Sequence, residues 1–242
     1  MSGAATPSDP WGLCDRRLYL CTPDRPDLEH FVEACIEGGV DLVQLREKHL
    51  SDVRLATRAA LVQRVCGHHG VPFILNDNPD LGAAIGADGV HIGQDDVPPT
   101  TARLVMGARA IIGLSTHAPA DLDAAIGKVP PGIEPIGAEA GWRAAPVDYI
   151  SAGPVVATPT KPGRPGTGLG YISEAVKRAP MSVWVTGGAD PITVVDMIGA
   201  GASHVVAVRW LTEAADPRAN ARALRRAIDE TLDRDGCRAR RG

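Results

Sequence analysis

Short apolar runs alternate with amphipathic helical patterns along almost the whole chain, and this alternation restricts the possible folds more than any other feature. The runs predict strands at 16–22, 41–45, 71–77, 88–93, 109–115, 147–153, 182–188 and 203–208. Helical patterns lie at about 27–39, 51–70, 81–85, 118–128 and 191–198, and after the last strand to about 233. The strands are rich in Val, Ile and Leu, which is typical of a parallel sheet covered on both faces.

Two architectures produce this alternation, a doubly wound open sheet and a (β/α)8 barrel. About eight repeats of strand and helix in 242 residues favour the barrel. No GxGxxG motif follows the first strand, which disfavours an open sheet that binds a dinucleotide. The sequence therefore predicts the α/β class, as a single (β/α)8 TIM barrel.

No linker divides the chain, so residues 1–242 are predicted to form one domain. The segments 1–12 and 236–242 are expected to be flexible ends. The segment 129–146 interrupts the repeat after the fifth predicted helix, and it is expected to emerge at the N-terminal face of the barrel. Chemistry in such barrels lies at the opposite face. We therefore interpret 129–146 as a structural insertion, for which a contact between subunits is one role left open.

The composition argues against several classes of partner. A net charge of −4 and a sequence pI of about 6.0 provide no basic field for nucleic acid. No apolar run reaches the ~18–20 residues of a membrane span, and the N-terminus lacks the pattern of a signal peptide. The five cysteines include no CxxC pair, so reduced thiols and a cytoplasmic location are expected. Small molecules are the expected partners, and a homo-oligomer is left open.

The stretch VQLREKHL places Gln44, Arg46 and Lys48 at every second position. Alternate residues of a strand share a face, so Val43 and Leu45 lie on the other face. One interpretation is a solvent-exposed strand with its charges outward. The other is a strand end at which cations gather around an anion, and the residues after the other strands favour it.

Polar side chains also follow the other strands, at the rim where barrel enzymes place their catalytic groups. Besides the three after strand two, they are Asn76, Asp77, His91, Gln94, Asp95, Asp96, Ser115, Thr116, His117, Thr158, Thr160 and Lys161. Taken singly, each is more often a helix cap, a turn residue or a structural histidine. Their common position at one rim is what indicates a site.

The charged residues at this rim suit a diphosphate and a metal ion. Arg46, Lys48 and Lys161 can bind phosphate oxygens, and arginine can do so with two hydrogen bonds. Asp77 and Asp96 are hard oxygen ligands, suited to Mg²⁺ that is shared with substrate phosphates. The sequence thus predicts a diphosphate held by cations and a magnesium ion.

Uncharged groups at the rim add hydrogen-bond donors. Ser115, Thr158 and Thr160 can donate from their hydroxyl groups. A second anion site is predicted at Gly187–Gly188 and in the next loop near Val208, because barrels commonly bind a phosphate after strands seven and eight.

A series of motifs in a fixed order covers nearly all of the chain. They are “LYLCT”, “GGVDLVQLREK”, “PFILND”, “GADGVHIGQDD”, “GLSTH”, “GP” followed by “TPTK”, and “GG” before the last helices. With these motifs the sequence resembles the thiamine phosphate synthases. The combination of “QLREK” with “GADGVHIGQDD” is far more specific than a single Gly-rich loop.

The resemblance implies a transferase with magnesium as cofactor. It implies that 4-amino-5-hydroxymethyl-2-methylpyrimidine diphosphate condenses with 4-methyl-5-(2-phosphoethyl)thiazole, or a carboxylated form of it, giving thiamine phosphate and pyrophosphate. In that family the pyrimidine–oxygen bond is thought to break first, and the thiazole nitrogen then traps the pyrimidine cation. Preplaced positive charges would stabilise the departing diphosphate.

The resemblance also implies a role for each matching residue. The residues that would bind the pyrophosphate are Arg46, Lys48, Asn76, Ser115 and Lys161. All of these except Asn76 are also the catalytic candidates. Asp77 and Asp96 would hold Mg²⁺, and Gln44 would hydrogen-bond the pyrimidine. The thiazole phosphate site would be lined by Thr158, Thr160, Gly188 and Val208.

This sequence departs from the family pattern at Arg209, where the family often has serine, and in 129–146, which has no counterpart that we can place. Two other functions are compatible with the fold. A thiazole tautomerase would share the thiazole phosphate pocket but expel no pyrophosphate, so the presence of Asp77, Asp96, Arg46 and Lys161 together argues against it. A non-catalytic protein that binds thiamine phosphate would not need the pair of carboxylates.

Overall fold

The computed structural model describes residues 9–127, 147–157 and 165–239, with side chains as far as residue 235. Its core is a closed barrel in which neighbouring strands run parallel from the first to the eighth. The strands are β1 (Leu18–Thr22), β2 (Leu42–Leu45), β3 (Phe73–Asn76), β4 (Gly89–Ile92), β5 (Ile111–Thr116), β6 (Tyr149–Ala152), β7 (Ser182–Thr186) and β8 (His204–Ala207). The predicted (β/α)8 barrel is confirmed.

Helices cover the outside of the barrel. In the described ranges they are α1 (Leu28–Glu37), α2 (Asp52–His69), α3 (Pro79–Ile85), α4 (Pro99–Met106), α5 (Pro119–Ala125), α6 (Gly168–Arg178), α7 (Thr193–Gly199), α8 (Arg209–Thr212) and α9 (Pro217–Ala239). The helical patterns of the sequence did not mark α4 or α6, and the single helix predicted after the last strand is divided into α8 and α9. None of these helices is both long and apolar enough to cross a bilayer.

The pleat of the strands separates two cores. Val43 and Leu45 of β2 are completely buried in the outer core between the barrel and its helices. Tyr19, Tyr149 and Trp184 point the other way and form an inner core inside the barrel. The Tyr19 and Trp184 rings meet edge to face, with centroids 5.3 Å apart. The interior of the barrel is therefore packed by the described residues, and its upper end is left open for a site.

Residues before β1 close the lower end of the barrel. Leu13 is buried in the inner core, and Trp11 packs against the same cluster. The Trp11 indole also donates a hydrogen bond to the carbonyl oxygen of Arg109, just before β5, over 2.7 Å. Within the segment expected to be flexible, Trp11 is thus held against the barrel by both apolar packing and a hydrogen bond.

A buried ion pair fixes the start of β6. Asp148 accepts a hydrogen bond from the Ile112 backbone N–H over 2.8 Å, and it pairs with Arg103 of α4. The two charged side chains are only 7% and 5% exposed. Removal of one partner from such a pair leaves a buried charge uncompensated. The segment predicted as an insertion, 129–146, lies outside the described residues.

Gly113 of β5 leaves room for the Tyr149 ring. A Cβ atom at Gly113 would lie 2.1 Å from Cζ and 2.4 Å from the hydroxyl oxygen of Tyr149. We expect Gly113→Ala to lower the free energy of unfolding by about 1–3 kcal/mol, the usual cost of overpacking. Urea denaturation measures it.

Gly67→Ala is the matched control for this prediction. Gly67 lies in α2, and nothing lies within 4 Å of the position of its Cβ. Alanine there should leave stability unchanged or raise it by up to about 1 kcal/mol. Equal effects of the two substitutions would show that Tyr149 does not need the space at Gly113.

Candidate active site

A cavity of about 790 Å³ opens at the C-terminal end of the barrel. Thr116, also predicted at the rim, is completely buried and does not line it. The cavity is lined by every residue within the described ranges to which the resemblance gave a role. These are Gln44, Arg46, Lys48, Asn76, Asp77, Asp96, Ser115, Gly188 and Val208. Thr158, Thr160 and Lys161 lie outside the described residues. Ligand pockets of this size and position are usual in barrel enzymes.

The alternating residues of β2 point into this cavity. The Gln44 side chain is 3% exposed and lies inside the barrel. Arg46 and Lys48 continue the same alternation beyond the strand and line the mouth. The backbone N–H of Arg46 donates to the Thr22 carbonyl oxygen over 2.8 Å, which ties this extension to β1. The interpretation of a solvent-exposed strand is therefore wrong.

Two carboxylates after β3 and β4 approach each other at the mouth. Burial raises the pKa of the Asp77 carboxyl above its ordinary value, and the adjacent Asp96 carboxyl raises it further. Lys48 opposes this rise, because its Nζ lies 2.7 Å from Oδ2 of Asp77. Asp96 also accepts a hydrogen bond from the Gly93 backbone N–H over 2.7 Å. Two carboxylates thus converge at the mouth, and Lys48 pairs with one of them, Asp77.

The backbone at Asp77 is in an unfavourable conformation. Its φ of 62° lies in the left-handed region, which a non-glycine residue seldom adopts. A hydrogen bond of 2.8 Å from the Asp77 N–H to the His91 carbonyl oxygen holds this turn against β4. Such conformations are concentrated at functional sites, where the surrounding structure enforces them.

The chemistry of this pair fits a magnesium ion. In the described parts of the chain, no three His, Cys, Asp or Glu side chains cluster as ligands for a metal. Mg²⁺ is usually held by one or two carboxylates together with substrate phosphates and water. Asp77 and Asp96 would supply those carboxylates, and a divalent cation would relieve their mutual repulsion.

A second, less charged region lies across the mouth, after β7 and β8. Gly187 and Gly188 have φ values of 105° and 85°, which favour glycine. The Thr193 hydroxyl donates to the Gly188 carbonyl oxygen over 2.7 Å and fixes the turn. Val208 lines the same side of the cavity, immediately before α8.

Comparison with known proteins places the chain in a family. The model of a family described as thiamine monophosphate synthase matches residues 18–211. The chain belongs to that family. This confirms the resemblance found in the sequence.

Curated relatives agree over nearly the whole chain. The thiamine-phosphate synthase of Thermobifida fusca (strain YX) is 41% identical over 216 residues, which cover 88% of this chain and 92% of that protein. The thiamine-phosphate synthase of Mycobacterium sp. (strain KMS) is 39% identical over 237 residues, covering 92% and 97%. A solved thiamine phosphate pyrophosphorylase from Pyrococcus furiosus shares the fold, with a TM-score of 0.75 and 23% identity over 89% of this chain and 96% of that one.

Arg209, the predicted departure from the family pattern, places a cation on the β7 and β8 side of the mouth. Its side chain is exposed and lines the cavity beside Val208. Among the described residues that line the β7 and β8 side of the mouth, it is the one lysine or arginine, and the acids there are Asp190 and Glu213. The mouth therefore has cations on two sides, at β2 and at β8.

Two tyrosines at and below the cavity floor had no predicted role. Tyr19 of β1 lines the floor of the cavity, and Tyr149 of β6 lies behind it within hydrogen-bonding distance; both are almost completely buried. The signal was present in “LYLCT”, where Tyr19 and Cys21 are two residues apart and both line the cavity. Apolar composition around them made both tyrosines indistinguishable from ordinary core residues.

The raised pKa of Asp77 predicts an effect on stability in the absence of magnesium. The folded protein binds this proton more tightly than the unfolded chain, so the ionised carboxylate costs stability above its folded pKa. At pH 7 with a chelator, we expect Asp77→Asn to raise the free energy of unfolding by about 0.5–1 kcal/mol. Urea denaturation measures the change.

The gain should disappear as the pH falls below the unfolded pKa of aspartate, about 3.9, where both proteins are neutral at this position. Asp80→Asn is the matched control, because Asp80 is exposed in the first turn of α3 and should give no gain. A lower stability of Asp77→Asn at pH 7 would mean that the ion pair with Lys48 outweighs burial and repulsion.

Proposed function

We propose that the protein is a transferase that condenses 4-amino-5-hydroxymethyl-2-methylpyrimidine diphosphate with 4-methyl-5-(2-phosphoethyl)thiazole to give thiamine phosphate and pyrophosphate. The observation that carries this proposal is the carboxylate pair Asp77–Asp96 beside Lys48, in a cavity that has a further cation across its mouth. One side suits a diphosphate with a metal, and the other suits a single phosphate. Membership of the thiamine monophosphate synthase family supports the same reaction.

The diphosphate would lie on the β2 to β5 side of the mouth. Arg46, Lys48, Asn76 and Ser115 line that side and would donate hydrogen bonds to its oxygens, and Lys161 would join them. Arginine and lysine bonds to phosphate are charge-assisted and stronger than neutral ones. Asp77 and Asp96 would hold Mg²⁺, which supplies positive charge to the leaving group when bound.

The pyrimidine and the thiazole would occupy the interior and the opposite side. Gln44, inside the barrel, has amide groups that can bond a pyrimidine edge. Thr158, Thr160, Gly188 and Val208 would surround the thiazole phosphate. A carboxylated thiazole would place its added charge within the same mouth, where Arg209 offers a cation.

The bond changes require no protein nucleophile. The methylene carbon–oxygen bond of the pyrimidine diphosphate breaks, and its electron pair leaves with the pyrophosphate. The lone pair of the thiazole nitrogen then forms the new carbon–nitrogen bond. The protein's part is to stabilise charge on the leaving oxygen and to align the two substrates, which are the largest contributions in many transferases.

Two other functions predict different outcomes. A thiazole tautomerase would interconvert thiazole isomers without consuming the diphosphate. A non-catalytic protein would bind thiamine phosphate without turnover. Two converging carboxylates in the mouth disfavour both, because neither function needs a site for Mg²⁺ and pyrophosphate.

A direct assay tests the proposal. The purified protein is incubated with both substrates and Mg²⁺, and mass spectrometry follows thiamine phosphate and pyrophosphate. Both products should appear in equal amounts, and turnover in Asp77→Ala and Asp96→Ala should fall by roughly 10²–10³-fold. Thiazole isomerisation alone, or binding of thiamine phosphate with no products, would replace the proposal with the corresponding alternative.

Arg46 and Arg209 should act on different substrates. Each is expected to form a charge-assisted hydrogen bond, whose loss costs about tenfold in binding. Arg209→Ser should raise the KM for the thiazole phosphate by about that factor and leave the KM for the diphosphate within about twofold. Arg46→Lys keeps the charge but loses the planar fork, so it should impair use of the diphosphate. Initial rates at varied concentrations of each substrate separate the two effects, and a reversed pattern would exchange the two sites.

A further inference from the structure

A chain of hydrogen bonds crosses the barrel interior and joins the proposed pyrimidine site to the proposed diphosphate site. It runs from Gln44 through Tyr19, Tyr149 and His91 to Ser115. The distances are 2.6 Å from Gln44 Nε2 to the Tyr19 oxygen, 2.9 Å between the two tyrosine oxygens, 3.0 Å from the Tyr149 oxygen to His91 Nδ1, and 2.9 Å from His91 Nε2 to Ser115 Oγ. All five side chains are nine-tenths or more buried.

Which group donates and which accepts in each of these hydrogen bonds follows from the number of hydrogens that each side chain carries. The amide nitrogen of Gln44 can only donate, so the Tyr19 oxygen accepts. Tyr19 is 1% exposed, and within the described ranges the acceptor in reach of its own hydrogen is the Tyr149 oxygen. If Tyr149 donated to Tyr19 instead, a buried hydroxyl hydrogen would be left without an acceptor, which is costly. Tyr19 therefore donates to Tyr149.

The same assignment of donors and acceptors fixes the tautomer of His91. The Tyr149 hydroxyl donates its one hydrogen bond to Nδ1 of His91, so Nδ1 is an acceptor and the imidazole hydrogen resides on Nε2. Nε2 then donates to Ser115 Oγ, and the hydroxyl hydrogen of Ser115 is not consumed by the chain. Ser115 lines the cavity, where that hydrogen can be donated to a ligand.

Both phenols keep their protons at neutral pH, so this assignment of donors and acceptors holds there. Burial raises the pKa of Tyr19 far above its ordinary value, and burial likewise raises the pKa of Tyr149. Each tyrosine therefore accepts one hydrogen bond and donates one. Consecutive bonds of this kind polarise one another in a low-dielectric interior.

We propose that Tyr149 and His91 are positioning residues that keep Ser115 as a hydrogen-bond donor to the departing diphosphate. This inference rests on the proposed function, because it takes the diphosphate as the acceptor. It also gives Gln44 a second role. If the Gln44 amide were turned by 180°, its oxygen would accept from Tyr19, and every bond in the chain would reverse. Ser115 would then donate its hydroxyl hydrogen to His91, and that hydrogen would no longer be available for a hydrogen bond to the substrate.

Nitrogen-15 NMR of the histidine side chains tests the direction of the chain without any substrate. The signal of His91 is assigned by its loss in His91→Gln. We expect a neutral ring at pH 7 with the proton on Nε2 and none on Nδ1, and loss of that preference in Tyr149→Phe. A proton on Nδ1 in the unaltered protein would overturn the proposal, whatever reaction the protein catalyses.

Kinetics test the consequence for turnover. Tyr149→Phe removes the donor to His91 and should lower kcat by about tenfold, the usual scale for one hydrogen bond, with KM values changed less than threefold. Tyr171→Phe is the matched control, because Tyr171 is also buried but lies on α6 and is not part of this chain of hydrogen bonds. Its kcat should be unchanged. Thermal denaturation confirms that both variants are folded.

A double-mutant cycle separates positioning from a merely structural effect. If Tyr149 acts through Ser115, adding Tyr149→Phe to Ser115→Ala should change kcat by less than about twofold. Additive losses would overturn the proposal. A protein that shows the expected His91 tautomer but forms no thiamine phosphate would refute the proposed function and leave the direction of the chain intact.

Discussion

Hydrogen bonding between β1 and β8 closes the sheet, and the position of every functional side chain depends on that closure. Tyr19 of β1 lies opposite Leu42 on one side and Val206 on the other. A closed sheet has no edge, and its pleat directs alternate side chains of all strands into one interior. Residues far apart in sequence therefore meet. Tyr19 and Tyr149 are 130 positions apart, yet their hydroxyl oxygens are within hydrogen-bonding distance.

The interior changes character along the barrel axis. Its lower part is apolar and aromatic, and the positions two residues further along several strands are polar, as Gln44 follows Leu42 and Asn76 follows Ile74. Apolar and aromatic packing in the lower part stabilises the fold, whereas Asp77 at the upper end destabilises it. Asp77 combines a left-handed backbone with a carboxylate whose pKa is raised by burial, two features that destabilise the free protein. Proteins concentrate such features where a ligand will compensate them.

Periodicity in the sequence was sufficient for the barrel and for one half of the site. The strands were found because each is a short apolar run, and the period of two in 43–48 directed Gln44 and Arg46 inward. Helix α8 spans only four residues, a single turn in which an amphipathic pattern cannot stand out. The Tyr19–Tyr149 pair was beyond sequence reasoning, because it depends on the register between distant strands and on the space left by Gly113.

The ion pair between Arg103 and Asp148 makes the position of β6 independent of the chain that precedes it. Asp148 is bonded to the Ile112 N–H, and the Asp148 N–H donates to the Ile112 carbonyl oxygen over 2.8 Å. These bonds set the register of β6 locally, whatever joins α5 to Val147. The connection can therefore vary in length and sequence without shifting Tyr149. This makes the connection between Gly127 and Val147, which follow α5 and precede β6, a natural point for grafting a tag or a second domain.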